Sequence, residues 1–233
     1  MVDVAEKLGL RAAAPLLPGH GTSFEDFATT GWQDWYGAAD RELDMLVADS
    51  GESVVVAGQS LGSLIAIHLA AAHGASVRAL ILLSPPTRLA RPWPDWFVGA
   101  VGSWIPEWFA LPKGHPDVMR PEARADQLGY RGYPLRGAAQ VRHAGLRALS
   151  LLSQVRCPTL IVEGQHDHVC RRHNGREILT RLSSQDKHAI LLGRAAHLVT
   201  RDHDAELLAE YVHSFLKRVR EESQPRAQRP VEP

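Results

Sequence analysis

The sequence has no run of 18 apolar residues, so it offers no segment of the length and character that spans a bilayer as a helix. It also lacks an excess of either charge, with 26 Lys and Arg against 26 Asp and Glu. A nucleic-acid binder shows a basic excess, so that class is excluded, and a strongly anionic substrate is not expected. Cysteine is scarce: Cys157 and Cys170 are the whole complement. They flank an expected strand, and about 13 residues of mostly extended chain hold them far beyond the ~6 Å that a disulfide needs. Residues 1–11 carry acids and lack the basic-then-apolar order of a secretory signal. A reduced, cytoplasmic compartment is therefore expected. There is no internal repeat.

What is present is the patterning of an ordinary globular domain, 45% apolar and 22% charged over 233 residues. Short apolar runs occur at residues 10–17, 53–58, 77–83, 159–163 and 188–192. None alternates cleanly with polar residues, which is the pattern of parallel strands buried on both faces. The first run is diluted by three alanines. Between the runs lie helical periodicities. Trp32, Trp35, Tyr36, Ala39, Leu43 and Leu46 share one face, Leu61 to Ala72 forms a second helix, and Leu207, Leu208, Tyr211, Val212 and Phe215 mark a third. Strand–helix alternation of this kind implies an α/β fold with a doubly wound, mostly parallel sheet. Residues 86–150, rich in Pro, Arg and Trp, interrupt the rhythm and are expected to form a small cap. The core is then 1–85 with 151–217, and the charged, Pro-rich stretch 218–233 is expected to be a disordered tail.

One motif carries chemistry. Gly58-Gln59-Ser60-Leu61-Gly62 is a G-x-S-x-G. Such a match is common by itself, but here it follows an apolar strand and opens a helix, as a nucleophile elbow requires. Side chains at Gly58 and Gly62 are expected to collide with neighbouring backbone. The helix N-terminus favours developing negative charge, and the Leu61 N–H is placed to donate to the oxyanion of a tetrahedral intermediate. The bland alternative is a strand-to-helix turn that happens to hold a serine between glycines.

A serine nucleophile needs a base, and the base an orienting acid. The acid is expected just past the end of a later strand, where Asp167 follows residues 159–163. Glu163 lies inside that strand, facing a packed layer. The histidine belongs in the loop after the next strand, where His197 stands, while His203 falls at the start of the last helix. A metal site at His166-Asp167-His168 is a competing reading, but no third ligand is indicated. No cofactor is expected.

Taken together these segments resemble bacterial carboxylesterases and monoacylglycerol lipases of the α/β-hydrolase superfamily. The resemblance rests on Pro15-Leu16-Leu17-Pro18-Gly19-His20-Gly21-Thr22, on Trp32-Gln33-Asp34-Trp35, on the elbow, on Cys157-Pro158-Thr159-Leu160-Ile161, on the Asp167 loop and on His197-Leu198-Val199-Thr200-Arg201-Asp202. These occur in family order and cover nearly the whole chain except the tail. The resemblance implies hydrolysis of short- or medium-chain carboxylic esters or of monoacylglycerols without a cofactor, with Ser60 as nucleophile, His197 as base and Asp167 as its orienting acid. It gives His20 a structural role. A serine at the elbow argues against the dehalogenases and epoxide hydrolases of the same fold, which use aspartate there.

The sequence departs from that pattern in one important respect. The family has an earlier strand, ending in a His-Gly-Phe-like motif, between the 10–17 strand and the nucleophile strand, and its loop supplies the second oxyanion N–H. Nothing here matches it, so the expectation is an N-terminally truncated chain. A stop codon immediately ahead of Met1 would overturn this. In the cap, Trp93, Trp96, Phe97, Trp104, Ile105, Trp108 and Phe109 either wall an acyl pocket or pack the cap onto the core. Apolar lid surface would also support a homodimer or contact with lipid aggregates. Competing functions are a peptidase of the prolyl type, a carbon–carbon bond hydrolase, or an inactive fragment.

Overall fold

A run such as Leu80-Ile81-Leu82-Leu83 can bury both of its faces only between two layers of helices, and in β2 the chain does this. The computed structural model describes residues 2–90, 110–112, 114–125, 129–130 and 132–222. Helices α1 (Val2–Lys7), α2 (Phe24–Thr29) and α3 (Trp32–Ser50) lead to strand β1 (Val54–Gln59), helix α4 (Leu61–Ala72) and strand β2 (Val77–Leu83). A short antiparallel pair, β3 (Ala110–Pro112) with β4 (Gly132–Pro134), encloses helix α5 (Pro121–Ala125). Then follow α6 (Leu135–Leu151), β5 (Thr159–Gly164), α7 (Asn174–Arg181), β6 (Lys187–Leu192) and α8 (Ala205–Glu222). The main sheet has the order β1-β2-β5-β6, and every pairing in it is parallel.

Strand β2 lies inside the sheet and splits its side chains between two cores. Leu80 and Leu82 join Leu64, Ile67, Ala148 and Ile161 beneath α4 and α6. Ala79, Ile81 and Leu83 join Val162, Leu208, Val212 and Phe215 beneath α8, with Val4 of α1. Removing a leucine side chain of this kind from water stabilises by about 2 kcal/mol. The fold class expected from the sequence is therefore the one observed. Among the described residues no helix is long and apolar enough to cross a membrane. Both cysteines are free thiols.

Two expectations need correction. Residues 10–17 form no strand. β1 ends the strand order, with β2 on one side, and the 10–17 segment stays too far from its other edge to hydrogen-bond with it. A cavity of about 600 Å³ separates the two, lined by Leu10, Leu17, Val55, Ala57 and Gly62 among others. This is where the family resemblance puts the strand that the sequence lacks. The half-exposed character of β1 has the same cause. The second correction concerns the tail, because α8 runs on to Glu222. Leu216 and Val219 are buried, and the Arg218 guanidinium sits 5.4 Å from the Phe215 ring centroid. These contacts hold residues 218–222 as helix, and residues 223–233 lie outside the described part.

Candidate active site

The sharp turn between β1 and α4 places Ser60 at the helix N-terminus with φ 52° and ψ −119°. A non-glycine residue in that region carries roughly 1–3 kcal/mol of strain. The surrounding hydrogen bonds over-determine it. Ser60 N donates to Leu83 O (2.9 Å), while Ser63 N (2.9 Å) and Ser63 Oγ (2.5 Å) both donate to Ser60 O. Gly58 is required because a Cβ there would run into the backbone of Gly62 and Ser63. The same expectation fails for Gly62, where a Cβ would meet nothing within 4 Å. Gly62 borders the cavity beside β1, and the space that a side chain would need is open. Leu61 is the first residue of α4, so its N–H has no acceptor within the helix and is placed for an oxyanion.

His197 and Asp167 arrive from two loops at the C-terminal ends of β6 and β5. His197 Nε2 lies 2.9 Å from Ser60 Oγ, and His197 Nδ1 lies 2.8 Å from Asp167 Oδ2. His197 is 5% exposed, so water competes little for either bond. The other oxygen of Asp167 accepts from Val169 N and Cys170 N, both at 2.8 Å. Burial alone would raise the Asp167 carboxyl, but the hydrogen bond and charge of His197, with the two backbone donors, hold it below the usual carboxylate range. The structure thus brings Ser60, His197 and Asp167 into one hydrogen-bonded chain.

The rejected candidates lie elsewhere. Burial raises the Glu163 carboxyl, which accepts from Gly175 N. His203 sits just ahead of α8. His168 pairs through Nδ1 with Asp117 (2.9 Å) rather than forming a metal site with His166. The His20 ring packs edge-on against Phe27 and Trp35. The apolar cap residues Trp93, Trp96, Phe97, Trp104, Ile105, Trp108 and Phe109 lie outside the described residues, as does the homodimer surface expected there.

Three residues that sequence reasoning missed surround the chain. Buried Cys170 places Sγ 3.6 Å from His197 Nδ1 and 3.5 Å from Ser84 O. Burial first, and the neighbouring Asp167 charge second, push its thiol far up, so it stays protonated. Asp167, Cys170 and His197 are the one group with metal-ligand proximity among the described residues, but the acid and the imidazole already bind each other. Thr200 Oγ1 donates to Gln59 Oε1 at 2.7 Å, tying the histidine loop to the elbow. Asp202 is 1% exposed and accepts four backbone N–H bonds. Burial would raise its carboxyl, and those four donors hold it below the ordinary range. Thr200 and Asp202 lie in the stretch that carries the family resemblance, but their roles rest on partners distant in sequence, Gln59 for Thr200 and Met119 and Arg120 for Asp202.

The comparisons with known proteins decide the family. A model described as serine aminopeptidase, S33, an α/β-hydrolase family, matches residues 7–204. The chain belongs to this family. This α/β-hydrolase is of lipase- and esterase-like kind. It is 25% identical over 211 residues to a thermostable monoacylglycerol lipase of Bacillus sp. (strain H-257), covering 90% of this chain and 80% of that protein. It is 19% identical over 211 residues to a carboxylesterase of Bacillus subtilis (strain 168), covering 91% and 82%. Among solved structures, one from work on the metagenome-derived lipolytic enzymes LipS and LipT superimposes with a TM-score of 0.83, at 24% identity over 93% of this chain and 86% of that one. The monoacylglycerol lipase of Paleococcus ferrophilus superimposes with a TM-score of 0.69, at 20% identity over 79% and 76%.

Proposed function

We propose that this α/β-hydrolase cleaves carboxylic esters through an acyl-serine intermediate. The observation that carries the reading is the unbroken hydrogen-bond chain from Ser60 Oγ through His197 to Asp167. Ser60 Oγ attacks the ester carbonyl as His197 Nε2 takes its proton. The carbonyl oxygen becomes an oxyanion facing the Leu61 N–H and the α4 N-terminus. Asp167 fixes the tautomer and orientation of the neutral imidazole and stabilises the imidazolium that then delivers its proton to the departing alcohol. Water, deprotonated by the same imidazole, then attacks the acyl-serine and releases the acid. None of these steps needs a cofactor.

Relatives acting on monoacylglycerols and on carboxylic esters support short- or medium-chain acyl esters, monoacylglycerols included, as the substrate class. The description of the family model favours a second reading, an aminopeptidase using the same three residues. Hydrolysis of p-nitrophenyl butyrate, beside an aminoacyl p-nitroanilide, separates the two. Ester turnover that disappears in Ser60→Ala is expected. Folded protein with no Ser60-dependent turnover of the ester would overturn the esterase reading.

A further inference from the structure

The residues on either side of the proposed base are both fastened to groups outside their own loop or at its far end. Ala196 N donates to Asp202 Oδ2 at 2.8 Å, and Leu198 N donates to Asp117 O at 3.1 Å. Asp117 belongs to a segment, residues 116–120, that lies far from His197 in sequence and is hydrogen-bonded to the loops that carry His197 and Asp167. Asp202 also reaches that segment, accepting from Met119 N (2.8 Å) and Arg120 N (2.9 Å). The segment in turn grips the acid loop, because the Asp117 carboxylate accepts from His168 N (2.9 Å) and contacts His168 Nδ1 (2.9 Å), next to Asp167. Pro116 and Val118 are buried, so the segment is packed down rather than laid on the surface.

We infer that Asp202, working with Asp117, is a positioning residue: it clips segment 116–120 across the acid and base loops and so sets the His197 ring between Asp167 and Ser60. The inference rests on the triad reading above. The loops that carry His197 and Asp167 are irregular beyond Leu192 and Gly164, and His166 N donating to Ala195 O (3.0 Å) already joins them at their bases. A buried carboxylate satisfying four N–H groups from two segments adds a second tie, through segment 116–120, on the side of Ala196 and Leu198. Hydrogen bonds to a charged group are stronger than those between neutral groups, and four of them together hold one loop arrangement over its neighbours. Neither aspartate touches the reacting atoms. A misplacement of about 1 Å at a reacting pair can cost on the order of 100-fold in rate, so the clip acts on turnover rather than on substrate affinity.

The test uses the full chain and p-nitrophenyl butyrate, with competent sites counted by a fluorophosphonate that labels Ser60. Asp202→Asn keeps the shape but leaves one acceptor oxygen for four donors. Its kcat per labelled site is expected to fall about tenfold to a hundredfold with KM within about twofold. A purely structural role predicts fewer labelled sites, each turning over at the wild-type rate, and that result would overturn the inference. Asp117→Ala, at a half-buried position, removes the whole side-chain grip on His168. It keeps the question answerable if Asp202→Asn does not fold, and an unchanged kcat per site in Asp117→Ala would then be decisive against the clip. Retained activity in Ser60→Ala or His197→Ala would instead refute the triad itself, a separate outcome.

Discussion

The two edges of β1 are composed alike and behave differently. One edge pairs with β2 from Val54 to Gln59, and beyond it β5 and β6 complete a sheet whose C-terminal ends carry the serine, acid and histidine. The other edge looks across a cavity of about 600 Å³ toward residues 10–17, which stay outside the sheet despite their apolar composition. Apolar sequence makes a strand only where a neighbour satisfies its backbone groups. The hydrogen-bonded chain of Ser60, His197 and Asp167 is assembled on the satisfied side, while the helix-start N–H of Leu61 stands beside the boundary.

The largest expected effect lies on the paired side. Asp167→Asn leaves the shape and takes away the charge that fixes the imidazole, so kcat should fall on the order of 10⁴-fold, as it does for the corresponding trypsin variant. A loss below about tenfold would remove Asp167 from the triad.

Stability contrasts follow. Leu82→Ala, in a fully buried position of β2, should destabilise by about 2–5 kcal/mol in urea titration. Leu10→Ala, half-buried on the cavity wall, should cost less than about 1 kcal/mol, since little surrounding structure is disturbed. Equal costs would mean that the 10–17 segment is packed as firmly as the sheet.

The two elbow glycines sharpen the same contrast. Gly58→Ala forces a Cβ into the Gly62 backbone and should destabilise by about 3 kcal/mol, with loss of activity. Gly62→Ala enters open space and should change thermal stability by no more than about 1 kcal/mol. A Gly62→Ala penalty as large as that of Gly58→Ala would show that the cavity is filled in solution.

The smallest effect is in the acid limb of stability. Asp202 and Asp167 both titrate below the ordinary aspartate range when folded. Their stabilisation is complete above that range and is lost as pH falls through the depressed folded values. Acid unfolding followed by circular dichroism should be less steep in Asp202→Asn. An unchanged acid limb would show that the four N–H groups do not favour the ionised carboxylate.

Much of the site was legible from the chain. Ser60 announced itself through its glycines and the strand ahead of it, and Asp167 and His197 through their places after successive strands. The Gly62 collision was misread because the sequence does not show what occupies the far side of the elbow. Asp202 and Asp117 were missed because a carboxylate with backbone N–H partners leaves no periodic signature, and Thr200 because its partner, the Gln59 side chain, is far away in sequence. The early end expected for α8 came from charge and proline content, whereas buried Leu216 and Val219 carry the helix further.

By itself the sequence determined the strand–helix alternation, the strand-to-helix turn at Ser60, and the placing of Asp167 and His197 after successive strands, because these depend on local periodicity and on short spacings along the chain. Only the tertiary structure decided that residues 10–17 stand apart from the sheet, that Gly62 faces a cavity, and that segment 116–120 bridges the two loops. These depend on hydrogen-bond partners and excluded volume contributed by residues tens of positions away, and a linear pattern carries no record of them.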